Sequence, residues 1–460
     1  MTASTVTSAP IEMPPAVRLP RSLQTVSWVV DAPRFMQRCR ARYGPAFCAK
    51  FAARAVSGPG AARDEGNWVF LADPEHVKQV FTADPAVVRA GETNRFLEGL
   101  VGPRSILILD EPEHMSRRRL MLPPFHGGRI ERYGELIRDV AAAEVLRWPR
   151  GRRFALWPRM QAITLEVIVR AVFGIREPRR LEHLRGLLRT ILDTMSSRRW
   201  LAAQAVRTAL VADPTESYGA RSLRQLLGPV DALLLEEIRA RRAAGDHEER
   251  DDVLSLLMDA RFDDGSAMDD HELRDQLITL LIAGHESTAT SLAWAFERLL
   301  RHPEKVARLR DEVATGEHRY ADAVVTETLR LRPVILLVLR KLAAPLQIGD
   351  HVLPPGAWVA PCAYLVHRDE AIYPEPDRFL PERFLDRPPT TYTWFPFGGG
   401  VRRCLGASFA QLEMREVLRT VAARVDVRSV STDGERARRR FITLAPAHGA
   451  EVVVDGPRGG

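Results

Sequence analysis

The chain has 460 residues and a mass of 51.6 kDa, with 45% of residues apolar and 27% charged, proportions that suit a large hydrophobic core and exclude a disordered or disulfide-stapled chain. Its 66 basic and 59 acidic side chains leave a net charge of +7, carried almost wholly by arginine, since the lysines are Lys50, Lys78, Lys305 and Lys341. The arginines stand in short runs such as Arg117–Arg119 and Arg438–Arg440 without interleaved aromatics, which argues against nucleic-acid binding.

From the N-terminus, Met1–Arg21 is polar and carries Pro10, Pro14, Pro15 and Pro20, without the charged start and apolar run of a signal peptide. Residues 1–20 read as a flexible proline-rich leader, 21–455 as a single domain and 456–460 as a flexible tail. No stretch approaches the ~18 apolar residues of a membrane span. The cysteines Cys39, Cys48, Cys362 and Cys404 contain no C-x-x-C pair and suit a reducing compartment, so a cytoplasmic location is expected. The first hundred residues mix helical segments with strand-like runs such as Trp68–Leu71. From about Glu131 to Arg301 apolar residues recur at helical spacing, as at Leu165, Ile168, Val169 and Val172. With strands at His351–Leu353 and Glu451–Val454, the class is mainly α with a minor β region.

The most informative helix begins near Asp269, where Met268 can staple and Glu272 sits at the capping-box position. It runs without proline to Arg301, roughly 48 Å at about 1.5 Å per residue. Halfway along stands Ala283-Gly284-His285-Glu286-Ser287-Thr288, a glycine, an acid and two hydroxyls in an apolar helix. Glycine costs about 1 kcal/mol there relative to alanine, and serine can bond back and bend the helix. The segment reads either as a packing notch or as a local widening beside a ligand. His285-Glu286 lacks the second histidine of a zinc motif, because Ala289 occupies that place, and Gly398–Gly400 lacks the Gly-Lys-Ser/Thr of a phosphate loop. Further on, Glu327 and Arg330 share one helix face and can pair.

Phe395-Pro396-Phe397-Gly398-Gly399-Gly400-Val401-Arg402-Arg403-Cys404-Leu405-Gly406 precedes a helical pattern from Ala407 to Val425. Three glycines permit close approach to a flat ligand, and Cys404 lies where free N–H groups and the helix dipole favour a thiolate. The run Phe397 to Gly406 matches F-G-x-G-x-R-x-C-x-G and resembles the haem-binding loop of the cytochrome P450 family, soluble bacterial type. The resemblance implies that fold, with haem b held between the long helix and the cysteine loop and Cys404 as axial ligand to iron. Phe397, Gly398 and Gly406 would lie against the haem.

Family motifs elsewhere extend the resemblance over about residues 20 to 455. Glu327 and Arg330 would meet Arg383 of Pro381-Glu382-Arg383-Phe384 in a structural network. His114 and Arg118, four apart in an H-x-x-x-R segment, with Arg340 and Arg402, would bind haem propionates. Ala283 and Gly284 would face the haem, and Glu286, Ser287 and Thr288 would handle protons, with Ser287 standing where threonine is common. Phe96, Leu97, Leu100, Ile282, Ala283, Val334, Ile335, Leu336 and Val338 would line the substrate pocket, and Leu181–Leu227 would cover it. The implied function is a haem-thiolate monooxygenase that uses O₂ and electrons from NAD(P)H, through a separate ferredoxin and ferredoxin reductase, to oxidise an apolar lipid, steroid, terpenoid or polyketide-like molecule. Arg117, Arg119 and Arg403 would dock an acidic ferredoxin, and a monomer is expected. The alternatives are a haem-binding sensor that does not oxygenate and a peroxide-driven peroxygenase.

Overall fold

The computed structural model describes residues 13–52, 67–125, 128–174, 218–245, 250–440 and 442–457, with scattered positions between 179 and 194. Most of the expected covering segment 181–227 therefore lies outside the described residues, as do residues 1–12 of the leader and 458–460 of the tail.

The long helix spans Asp270–Leu299 and organises the helical part of the fold. Asp269 caps it by accepting from the Glu272 N–H at 2.8 Å. The reciprocal half of the capping box is replaced, because the Glu272 carboxylate accepts from Arg117 Nε at 2.7 Å instead of returning to the cap. Its principal neighbour is the helix Trp157–Phe173, whose buried Ile163, Val167 and Val172 join the same core. The helices Arg129–Val145 and Ala407–Arg424 pack on each other beside this pair.

A second layer is built on a five-stranded sheet. Its spatial order is Ala46–Lys50, Asn67–Leu71, Trp358–Pro361, Arg340–Leu342 and Val88–Arg89. Asn67–Leu71 is nearly all apolar because it is central and covered on both faces. One face carries Trp28, Phe35, Phe51, Trp68 and Phe70 in mutual ring contact. Trp28 comes from the N-terminal helix Arg21–Tyr43, which Pro33 interrupts near a non-helical Asp31. The expected strand at His351–Leu353 pairs with Leu346–Ile348. Glu451–Pro457 pairs with Phe154–Ala155 and Val425–Ser429.

Both expected ends need correction. Residues 13–20 are docked: Val17 N–H donates to Cys48 O, Cys48 N–H donates to Pro15 O, and Pro14 and Val17 are buried. The terminal strand runs through Gly456 and Pro457, which pair with Asp426 and Val425, so the segment 456–460 begins inside a sheet.

Candidate active site

Cys404 lies between a short turn, Gly400–Arg402, and the helix Ala407–Arg424. Its N–H donates to Phe397 O at 3.0 Å, which closes the loop. Burial pushes its thiol pKa up, while the Gly406 N–H and the charges of Arg118 and Arg403 pull it down. The residue has substantial accessible surface despite its dense surroundings, because it lines the main cavity. It is enclosed by protein and open to the cavity on one side.

The three glycines have separate tasks. Gly398 and Gly400 adopt φ of +67° and +65°, the left-handed region that favours glycine. A Cβ at Gly399 would come within 2.2 Å of the Phe81 ring, and one at Gly400 within 2.3 Å of Phe81 O. Gly399 and Gly400 thus make room for Phe81, whereas Gly398 lines the cavity. Gly406 behaves differently: it lines the cavity, and a Cβ there would meet no protein atom within 4 Å.

The cavity holds about 660 Å³. Besides Cys404, it is lined by His114, Arg118, Arg340 and Arg402, so three distant segments bring cationic or basic groups to one place. Arg402 donates to Asp110 Oδ1 at 3.0 Å. Asp110 also accepts from the Ala90, Gly91 and Glu92 N–H groups, which fixes it to the neighbouring turn. Arg118 and Arg340 have no ion pair among the described residues. Among the described residues Arg340 donates only to Leu339 O, and burial lowers its pKa to about 10. Burial likewise lowers Arg118 and Arg402.

His114 is buried, with Nδ1 2.7 Å from Glu111 Oε1. Burial, reinforced by Arg402, lowers its pKa to about 4 against the opposing pull of Glu111. The other Glu111 oxygen accepts from Met115 N–H. This set fits the expected haem. A sulfur donor faces an apolar slot floored by a glycine, and guanidinium groups lacking carboxylate partners suit the two carboxylates on the ring edge.

Across the cavity, the long helix presents Thr279, Leu280, Ala283, Gly284, Ser287, Thr288 and Ser291, the three- and four-residue recurrence of one helix face. The expected widening is absent: the segment remains α-helical. Gly284 is also the packing notch, since a Cβ there would meet Ile168 Cδ1 at 3.2 Å. Ser287 Oγ donates back to Ala283 O at 2.6 Å. Glu286 leaves the cavity face and accepts from Gln161 Nε2 at 2.9 Å. His285 is buried beside Thr164, with Nδ1 2.9 Å from Thr164 Oγ1, and burial lowers its pKa to about 4.

Of the expected pocket residues, Phe96, Leu97, Ala283, Val334, Ile335, Leu336 and Val338 line the cavity. Leu100 and Ile282 do not. Leu100 is in the core, and Ile282 is off the lining face, where Leu280 stands instead. Sequence reading missed Trp28, Ile106, Leu107, Arg439 and Leu444, which arrive from segments far apart in the chain. No local motif marks them, although the apolar run Ile106–Leu109 beside His114 was a signal.

Behind the cysteine side, Arg330 donates to Glu327 through Nε at 2.6 Å and a second guanidinium nitrogen at 2.9 Å, with both side chains inaccessible. Arg383 Nε reaches Glu327 at 3.4 Å. Arg330 also donates to the His367, Pro376 and Arg378 carbonyls.

The cytochrome P450 family model matches residues 31–447. Among relatives, the "putative cytochrome P450 135B1" of Mycobacterium tuberculosis is 41% identical over 452 residues, covering 97% of this chain and 92% of its own. The "putative cytochrome P450 138" of the same organism is 37% identical over 458 residues, covering 98% of each chain. Among solved structures, a retinoic acid bound cyanobacterial CYP120A1 superposes with a TM-score of 0.78 at 23% identity, covering 98% of this chain and all of that one. The cytochrome P450DA heme domain gives 0.80 at 22% identity, covering 97% and 98%.

Proposed function

We infer the function from the premise that the chain belongs to the cytochrome P450 family and is a haem monooxygenase. We assign the axial ligand to Cys404 and the substrate to the apolar class. The observation that carries this reading is the shared cavity in which Cys404 stands with Arg118 and Arg340, cations that lack carboxylate partners among the described residues. When bound, haem would supply oxygen activation at the iron, a chemistry that thiolate ligation favours.

The protein's own part is to bind, orient and deliver protons. His114, Arg118, Arg340 and Arg402 would hold the propionates, and Phe397, Gly398, Gly406, Ala283 and Gly284 would bound the ring. Ser287 and Thr288 offer hydroxyls on the cavity face. Ser287 Oγ, bonded to Ala283 O, can turn toward the cavity to pass a proton. Glu286 can join such a path only by leaving Gln161. Glu327, Arg330 and Arg383 act structurally.

The walls Leu97, Ile106, Leu280, Val334, Ile335 and Leu336 support a lipid, steroid, terpenoid or polyketide-like substrate. Two electrons would come from NAD(P)H through a ferredoxin and its reductase, with O₂ as co-substrate. Among the proposed docking arginines, Arg119 and Arg403 are exposed. Arg117 is engaged by Glu272 and lies over the Phe262 ring, so it leaves the patch.

The test is the absorption difference spectrum of dithionite-reduced protein with and without carbon monoxide. A red-shifted Soret band that disappears in Cys404→Ser is expected, and a histidine-type band in folded protein overturns the assignment. Ser287→Ala should raise the peroxide released per NAD(P)H consumed; unchanged coupling removes Ser287 from proton delivery.

A further inference from the structure

Arg439 belongs to a hairpin whose strands are Ala437–Arg440 and Thr443–Pro446. It lies opposite Leu444 in the antiparallel register, so both side chains point to the same face. That face is the cavity, which both residues line. The hairpin is fixed there by Leu444, whose N–H donates to Val334 O at 3.2 Å and whose carbonyl accepts from Trp294 Nε1 at 2.8 Å.

The guanidinium of Arg439 lies over the Trp28 ring at 5.3 Å and donates to Trp28 O at 3.3 Å. No carboxylate forms an ion pair with it among the described residues. Its side chain is exposed at the cavity rim, and desolvation by the atoms around it lowers its pKa without a charged neighbour contributing. Arg118, Arg340 and Arg402 belong to a separate cluster with Asp110 and Cys404. Several other polar groups along the wall are engaged: Thr93, Asn94, Thr279, Ser287 and Ser291 all donate to protein carbonyls. Among the described residues Arg439 uses one of its five N–H donors.

We propose that Arg439 is an anion-binding subsite of the substrate cavity, and that the substrate is an apolar molecule carrying one carboxylate, held at the Trp28 end. The inference rests on the reading of this cavity as the substrate site and deepens it. An apolar wall distinguishes weakly between hydrocarbons, whereas a guanidinium held over an indole at the cavity rim, with no carboxylate paired to it among the described residues, selects charge and geometry together. Anchoring the acid there presents the remote, uncharged part of the molecule for oxidation.

The experiment uses haem-loaded protein at pH 7.5 and begins with the carbon monoxide spectrum of the same preparation. Dodecanoic acid, abietic acid and their methyl esters are then titrated, with the Soret spin-state shift and calorimetry as readouts. Wild-type protein is expected to bind at least one acid about tenfold to a hundredfold more tightly than its ester, the range of a hydrogen bond to a charged group. Arg439→Gln should abolish that preference while leaving ester affinity within about twofold, and Arg439→Lys should restore part of it. If Arg439 only tethers the hairpin to Trp28, Arg439→Gln will weaken acid and ester together, which overturns the proposal. Absence of acid preference in wild-type protein, including no binding by either acid, overturns it as well. Failure of the initial carbon monoxide spectrum would instead locate the error in the haem-thiolate assignment.

Discussion

Two buried arginines, Arg330 and Arg340, differ in how their charge is met, and the difference separates architecture from function. Arg330 is inaccessible and fully occupied: Glu327 takes two of its donors, while the His367, Pro376 and Arg378 carbonyls take others. Arg340 is similarly enclosed, yet its hydrogen bond goes to the adjacent Leu339 carbonyl and no carboxylate forms an ion pair with it among the described residues. A buried charge without a counter-ion is costly. The chain compensates the first charge internally, and the second is the one proposed above to meet a haem propionate. The same contrast separates two histidines whose pKa burial lowers to about 4: His285 contacts Thr164 inside a helix pair, whereas His114 faces the cavity beside Glu111.

The largest expected effect comes from breaking the compensated pair. Glu327→Gln should destabilise the protein by about 3–5 kcal/mol, as removal of one partner from a buried ion pair does. Urea denaturation checks this; a loss below about 1 kcal/mol would show that the carbonyl acceptors alone satisfy Arg330.

Acid titration tests the histidines. His285 has an ordinary pKa near 6.5 when unfolded and about 4 when folded. Its contribution is complete above pH 6.5 and declines as pH falls toward 4, because the unfolded chain takes a proton that the native core refuses. The shift corresponds to about 3 kcal/mol at the acid end. Denaturation midpoints from pH 7.5 to 4 should fall less steeply in His285→Gln than in the parent, and identical slopes would remove His285 from the acid response. Haem loading should raise the His114 pKa and leave His285 near 4, which histidine NMR titration can resolve.

The smallest stability effect, with the opposite sign from that of Glu327→Gln, is expected at Arg340. Arg340→Leu should leave haem-free stability unchanged or raise it by about 1 kcal/mol, since it removes an uncompensated charge. The same variant should release haem faster to a haem-scavenging protein. A large loss of haem-free stability would make Arg340 structural, like Arg330.

Much of the site was legible because its motifs are local. The spacing of Phe397 to Gly406 carries the cysteine loop, and His114 and Arg118 share one helix face by sequence separation alone. The Glu327–Arg330 pair has the same origin. Glu286 was misplaced because adjacency in a motif was allowed to stand for a shared surface. A helix turns about 100° per residue, so Ser287 can face the cavity while Glu286 meets Gln161. Gly399 and Gly400 have a related explanation: sequence reports the need for a missing side chain, but not that Phe81, more than 300 residues earlier, occupies the space.

The sequence by itself determined the mainly helical class, the long helix with its cap, the thiolate loop and the arginines available to a dianionic ring, because periodicity, capping and spacing act over a few residues. Tertiary structure decided which of those arginines remain uncompensated, which face of the long helix meets the cavity and which distant side chains complete it. Arg439 shows why: it reaches the cavity through pairing with Leu444 and contact with Trp28, and only folding brings residues 28, 334 and 439 to one wall.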